Sequence, residues 1–296
     1  MLRFFEYDEP VFRPPAEADS LIVQATIGCS HNLCGFCGMY RTKRFRIRPP
    51  AELLAEIASV PLWRRESVQR IFIGDGDGLI YPQGDLVMLL DVLAATFPKL
   101  ARVAAYASPN SLNTKSGVEL QQLRERKLRL LYFGLESGDE ETLRSARKGF
   151  TAEAMLDQCR MAHQAGMKLS VTAILGLAGK ARTAEHAGAT AEWISLLSPR
   201  YFSLLTLMRG GNDDYLHSIR ALTNGEILEE ALNVVKSLNP RGTILRSDHV
   251  SNLLHLSGTY PKDRRAIILQ AEAALEEGRR HSNWFHRVPD ELPEWY

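Results

Sequence analysis

"DSLIVQATIGCSHNLCGFCGMYR", residues 19–41, decides how this chain is read. Its first part, 19–28, is a short run rich in β-branched and apolar residues, which predicts a strand. Its second part packs three of the chain's four cysteines into nine residues. A strand that delivers a dense group of thiols to its carboxyl end raises two questions: which sheet it joins, and what the thiols hold.

The same pattern recurs along the chain. Apolar runs at 68–78, 100–110, 128–138, 167–179 and 200–211 read as further strands. Between them, periodic apolar patterns at 49–60, 84–98, 116–127, 151–166 and 183–198 read as helices. The first of these helices opens with proline, Ser116 and Thr151 stand at cap positions, and Gly166 ends its helix. Repeated βα units predict a parallel sheet with helices outside it, and right-handed crossovers curl such a sheet toward a barrel. The expected class is therefore α/β, a partial (β/α)6 TIM-like barrel of parallel strands with a C-terminal helical and strand cap. The expected division is an N-terminal arm (1–19), the barrel (20–211) and a cap packed on it (212–296). In the cap, 223–240 and 261–280 read as helices and 242–249 as a strand.

Composition narrows the class. The chain has 296 residues, 45% of them apolar, and 36 basic against 35 acidic side chains. That supports a sizeable core and demands neither nucleic acid nor an acidic membrane as partner. The N-terminal apolar patch is broken by Glu6, Asp8 and Glu9, which argues against a signal peptide. No apolar run reaches the length of a membrane span, so a cytoplasmic protein is the expectation. Four cysteines do not make a disulfide scaffold for a chain this long; clustered thiols in a reducing compartment read as metal binding or catalysis.

Function in such a fold belongs at the carboxyl ends of the strands. There the sequence places the cysteine loop, then "GDGDG", "SPNSLN", "ESG", "GLAG" and "MRGG". Cys29-x4-Cys34-x2-Cys37 has one CxxC knuckle and no second, unlike most structural zinc sites. Cys159 falls on a helix among apolar neighbours and reads as a core thiol. Three thiolates with an empty fourth position suit a [4Fe–4S] cluster with one open iron.

On this loop and these strand ends, about residues 20–210 resemble the radical S-adenosylmethionine (SAM) enzymes, with one residue more than the usual CxxxCxxC. The resemblance implies that Cys29, Cys34 and Cys37 hold the cluster. Its open iron would take the amino nitrogen and carboxylate of SAM. Cleavage of SAM would yield methionine and a 5′-deoxyadenosyl radical that abstracts hydrogen from a substrate. It also implies Phe36 against the adenine, and Asp75, Gly76 and Asp77 at the SAM amino group. Glu136 would meet the ribose, Arg147 or a neighbouring cation the carboxylate, and Ile174, Gly176 and Met208 the adenine pocket. Ser108 and Asn110 face the same mouth. Asn113, Arg246, Asp248, His249 and His255 are the substrate-side candidates, the last four with Asn252 in one polar segment.

A small organic substrate and a flavodoxin- or ferredoxin-type electron donor are the expected partners, with no membrane; an RNA substrate stays open. The basic run "RTKRFRIR" (41–48) reads as a solvated face or as a contact for phosphate, nucleic acid or the donor. The alternative of another class is a non-catalytic iron–sulfur or zinc-binding electron-transfer module, with Cys159 or a histidine as fourth ligand.

Overall fold

The computed structural model describes residues 5–289; residues 1–4 of the expected arm and 290–296 of the expected cap lie outside them. Eight strands stand in chain order across the sheet. These are β1 (Leu21–Gln24), β2 (Arg70–Gly74), β3 (Arg102–Ala107), β4 (Leu128–Glu136), β5 (Lys168–Leu175), β6 (Tyr201–Thr206), β7 (Ile244–Ser247) and β8 (Leu256–Thr259). The main helices are α1 (Pro50–Ser59), α2 (Gln83–Thr96), α3 (Gly117–Glu125), α4 (Ala152–Gln164), α5 (Thr183–Leu197), α6 (Asn224–Ser237) and α7 (Arg264–Arg280). The first six strands alternate with helices, as the α/β repeat predicts.

The chain forms two compact units. One gathers the described residues up to Asn32 with Met39–Phe133 and Gln158–Leu169; the other gathers Leu33–Gly38, Gly134–Asp157 and Ser170 onward.

In the first unit β1 pairs in parallel with β2 (Val23 opposite Ile73), and β2 with β3 (Phe72 opposite Ala104). β3 pairs in parallel with the first part of β4, with a register shift between Val103 and Ala104. Ile71, Phe72 and Ile73 are fully buried in succession, the mark of a strand covered on both faces. The helices show why their sequences fold. α2 buries Leu86, Leu89, Leu90 and Leu93, spaced three and four apart, and turns Asp91 outward to Arg126. α3 opens with a reciprocal capping box between Ser116 and Glu119. Thr151 caps α4 by accepting from the Ala154 N–H. The same helix closes with the paired bonds Gly166 N to His163 O and Met167 N to Ala162 O.

In the second unit β5 and β6 run parallel from Ser170–Tyr201 to Leu175–Thr206. β7 adds a further parallel strand beside β6 (Phe202 opposite Leu245), and β8 turns back antiparallel to β7. The segment after residue 212 thus lengthens the sheet as well as contributing helices. α6 opens with a capping box between Thr223 and Glu226 and buries Ile227, Leu228, Ala231, Val234 and Val235. It also buries one carboxylate, Glu230.

Candidate active site

In the first unit, Thr26–Ile27 pairs antiparallel with Arg46–Ile47, so the chain between them leaves and returns at one place. Asp75, directly after β2, secures that place. It is fully buried, and its Oδ2 accepts from the Gly28 N–H (3.2 Å), Gln24 Nε2 (3.3 Å) and Lys43 Nζ (2.9 Å). Lys43 is itself 7% exposed and also donates to the Asp8 carbonyl. Arg48 binds Glu56 (2.7 Å), Glu52 (3.2 Å) and the Gln24 carbonyl (3.2 Å). Two cations of the basic run are therefore internal ties; Arg41, Arg44 and Arg46 are its exposed members.

Asp77 forms a second polar group. It is fully buried; its Oδ2 accepts from the hydroxyls of Ser30 (2.5 Å) and Ser108 (2.5 Å), while Oδ1 has no partner. Burial raises its pKa above the ordinary carboxylate range, against the lowering effect of the Ser108, Ser30 and Ser111 hydroxyls. Ser108 reaches Asp77 because it caps the short helix Pro109–Asn113. Asn110 Nδ2 joins the group through Ser30 Oγ (3.3 Å). Gly76 lies between: a Cβ there would stand 2.6 Å from the Tyr40 ring and 3.0 Å from the Cys29 Cβ, so no side chain fits. Asn113 is outside this group, exposed and bonded to Gln158 Nε2 (2.6 Å).

In the second unit the segment Leu33–Gly38 is held by two ties to other residues and one internal turn. Gly35 N–H donates to the Ala146 carbonyl (2.8 Å), Cys37 N–H to the Cys34 carbonyl (3.2 Å), and Asn212 Nδ2 to the Phe36 carbonyl (2.9 Å). Asn212 Nδ2 also donates to the Met208 carbonyl (3.1 Å), and its Oδ1 accepts from Gly210 N–H (2.9 Å). The Phe36 ring meets Tyr215 edge-on at 6.4 Å, and Tyr215 Oη donates to the Leu177 carbonyl (2.8 Å). Phe36, Ile174 and Leu207 pack on the core of Ala146, Leu177 and Tyr215. Gly38 is irreplaceable for a simpler reason: a Cβ would overlap the Gly210 carbonyl oxygen. Asn212 and Tyr215 were not singled out in the sequence. A glycine pair followed by asparagine just past a strand was the available signal.

Glu136 ends β4 with a left-handed φ of +67°, and Lys148 Nζ meets its Oε1 at 3.0 Å. The cation at this acid is Lys148; Arg147, expected at the SAM carboxylate, is exposed beside it. Gly176, just past β5, donates its N–H to Glu230 Oε1 (2.7 Å).

The polar segment 246–255 divides. His249 Nδ1 accepts from the Ser251 N–H (3.1 Å), and Ser251 Oγ accepts from Thr206 N–H (3.1 Å) at the end of β6. Burial lowers the His249 pKa, opposed by Asp248. Asn252 bonds the Leu204 carbonyl (2.7 Å) and Ser247 Oγ (3.0 Å). Arg246 instead faces out and stacks over Tyr201 at 4.4 Å, at the start of β6. Asp248 and His255 are exposed. Alternation along β7 turns Arg246 outward between the buried Leu245 and Ser247; the other residues lie past the strand's end.

Comparison with known proteins agrees with the fold. Residues 23–194 match the Radical SAM superfamily, more than half of the chain. No curated protein sequence matches. Among solved structures, methylornithine synthase superposes with a TM-score of 0.53 at 14% identity, over 86% of this chain and 81% of that one. The radical SAM methyltransferase TsrM from Kitasatospora setae, with cobalamin and a [4Fe–4S] cluster bound, gives 0.52 at 17% identity over 65% of this chain. This chain spans only 38% of that protein. Coproporphyrinogen III oxidase from Escherichia coli gives 0.51 at 16% identity, over 73% of this chain and 50% of that one.

The chain belongs to the radical SAM superfamily. It is an enzyme of the class that uses a [4Fe–4S] cluster and SAM, built on an α/β partial barrel. No helix among the described residues is long and apolar enough to cross a membrane.

The residues present fit these cofactors. Cys29, Cys34 and Cys37 are partly exposed, whereas Cys159 is fully buried and burial pushes its thiol pKa far up. A thiol so desolvated stays protonated and makes a poor ligand. Among the described residues no three His, Cys, Asp or Glu side chains are already drawn into a metal-binding group. The unpartnered buried oxygens Asp75 Oδ1 and Asp77 Oδ1 leave acceptor capacity of the kind an ammonium uses.

Proposed function

We propose that this protein reductively cleaves SAM and directs the resulting 5′-deoxyadenosyl radical to a hydrogen atom of a small organic substrate. The observation that carries the proposal is the set of three thiols within nine residues, directly past the first strand of a radical SAM domain. Cys29, Cys34 and Cys37 would hold a [4Fe–4S] cluster, which when bound would supply the electron for SAM cleavage.

The protein's own groups bind and orient. Asp77 and the Asp75–Gly76 turn receive the SAM ammonium, with Ser108 directly, and Asn110 through Ser30, setting the Asp77 rotamer. Glu136 accepts the ribose hydroxyls, held in place by Lys148. Phe36, Ile174, Leu207 and Met208 form an apolar adenine site whose backbone is fixed by Asn212. His249, with its Nδ1 already an acceptor, presents an Nε2–H donor to substrate from beyond β6. The residues after 212 select the substrate, and the exposed Arg41, Arg44 and Arg46 offer an acidic electron donor a contact.

Anaerobic reconstitution with iron and sulfide tests the proposal. The expected result is four irons per chain and release of 5′-deoxyadenosine from SAM under dithionite. Reconstituted protein that binds SAM but yields no 5′-deoxyadenosine, with or without candidate substrates, would overturn it.

A further inference from the structure

Glu230 is a carboxylate 1% exposed on the apolar face of α6, and the groups that meet it are donors without a fixed charge. Its Oε1 accepts from Gly176 N–H at 2.7 Å, its Oε2 from the Thr183 hydroxyl, and His186 Nε2 lies 3.7 Å from Oε1. His186 is equally buried, at 1% exposure. Its Nδ1 lies 2.7 Å from Ser137 Oγ, which accepts from the Asp139 N–H at 3.0 Å.

The proton positions follow from the partners. A bare Nε2 facing a carboxylate would set lone pair against lone pair, so the ring proton belongs on Nε2. Nδ1 is then the acceptor, and Ser137 donates to it. The contacts run from Ser137 through His186 and, across 3.7 Å, to Glu230, where Gly176 joins from the other side.

Its two ends are informative. Ser137 directly follows Glu136, and Gly176 follows β5 two residues after Ile174. A buried carboxylate adds little stability over a well-packed apolar side chain, yet it fixes the direction of each donor that meets it. We infer that Ser137, His186 and Glu230 are positioning residues that hold the ends of β4 and β5 in register, and so set the affinity for the adenosyl part of SAM. This rests on the assignment of Glu136 and of Ile174–Gly176 to SAM in the preceding section.

The test uses the full, anaerobically reconstituted chain and labelled SAM in equilibrium dialysis, alongside iron content and melting temperature. E230M, of similar length but without acceptors, should weaken SAM binding about tenfold at unchanged iron content, the effect of losing one buried anchor. E230Q should rescue binding to within about threefold, because its amide oxygen still accepts from Gly176 and its NH2 donates to Thr183 Oγ. S137A, which spares Glu230, should weaken binding about threefold and keeps the test available if E230M does not fold.

Three outcomes would overturn the inference: E230M or S137A binding SAM as tightly as wild type, or E230Q failing to rescue while both Glu230 variants lose melting temperature in parallel. Wild-type protein that binds no SAM would instead refute the cofactor assignment on which the inference rests.

Discussion

Replacing Lys43 by methionine is the sharpest test of how the cluster loop is held. Lys43 and Asp75 form an ion pair at 2.9 Å with side chains 3% and 0% exposed. Asp75 Oδ2 would keep two neutral donors, Gly28 N–H and Gln24 Nε2, and Oδ1 would still have none. Stranding one member of a buried pair costs roughly 3–5 kcal/mol. At about 2–3 °C per kcal/mol for a chain of this size, the melting temperature should fall by about 6–15 °C. D75N should cost less, about 1–3 kcal/mol, because an amide still accepts from Gly28 and Lys43 keeps its bond to the Asp8 carbonyl. The double variant K43M/D75N should then be more stable than the sum of the single losses predicts, by about 1–3 kcal/mol. Thermal unfolding of the metal-free protein under reducing conditions measures all four corners of the cycle. A loss under about 1 kcal/mol for K43M, or simple additivity in the double, would refute the argument that this pair is a desolvated, directional tie. The Gly28 N–H held by Asp75 immediately precedes Cys29, so K43M should also take up less iron on reconstitution.

Other consequences follow from single observations. Asp77 has its folded-state pKa raised by burial, so its contribution to stability is fully present below the ordinary carboxylate pKa and is lost as pH rises through the raised value; D77N should therefore flatten the stability–pH profile of the SAM-free protein above the ordinary carboxylate pKa, while weakening SAM binding. G38A should destabilise the protein by about 1–3 kcal/mol and lower iron uptake, because the new methyl overlaps the Gly210 carbonyl oxygen; unchanged denaturation would contradict that close approach. C159S buries a hydroxyl in an apolar site and should cost about 1–3 kcal/mol with full iron loading retained, whereas loss of iron would make Cys159 a ligand.

The sequence by itself determined the parts that local chemistry dictates. Six strands and their intervening helices were legible because apolar runs and caps such as Ser116 and Thr151 act within a few residues of themselves. The cysteine loop was legible for the same reason: its spacing is a local code. Strand β8, "LSGT", was not, because four residues with little apolar alternation become a strand only beside β7.

At the site, Asp75, Asp77, Glu136 and Gly176 stood out at strand ends, but their partners did not. Lys43 lay hidden in a basic run that reads as solvated surface. Lys148 could not be told from Arg144 and Arg147 until the turn placed its Nζ on Glu136. Asn212 binds a carbonyl 176 positions earlier. Glu230 looked like one more charge on an amphipathic helix until α6 turned it inward onto Gly176 and Thr183. Residue type and spacing determine what a side chain is able to bind. Only tertiary packing decides which carboxylates lose their water, and a desolvated carboxylate acquires whichever donor the fold brings to it.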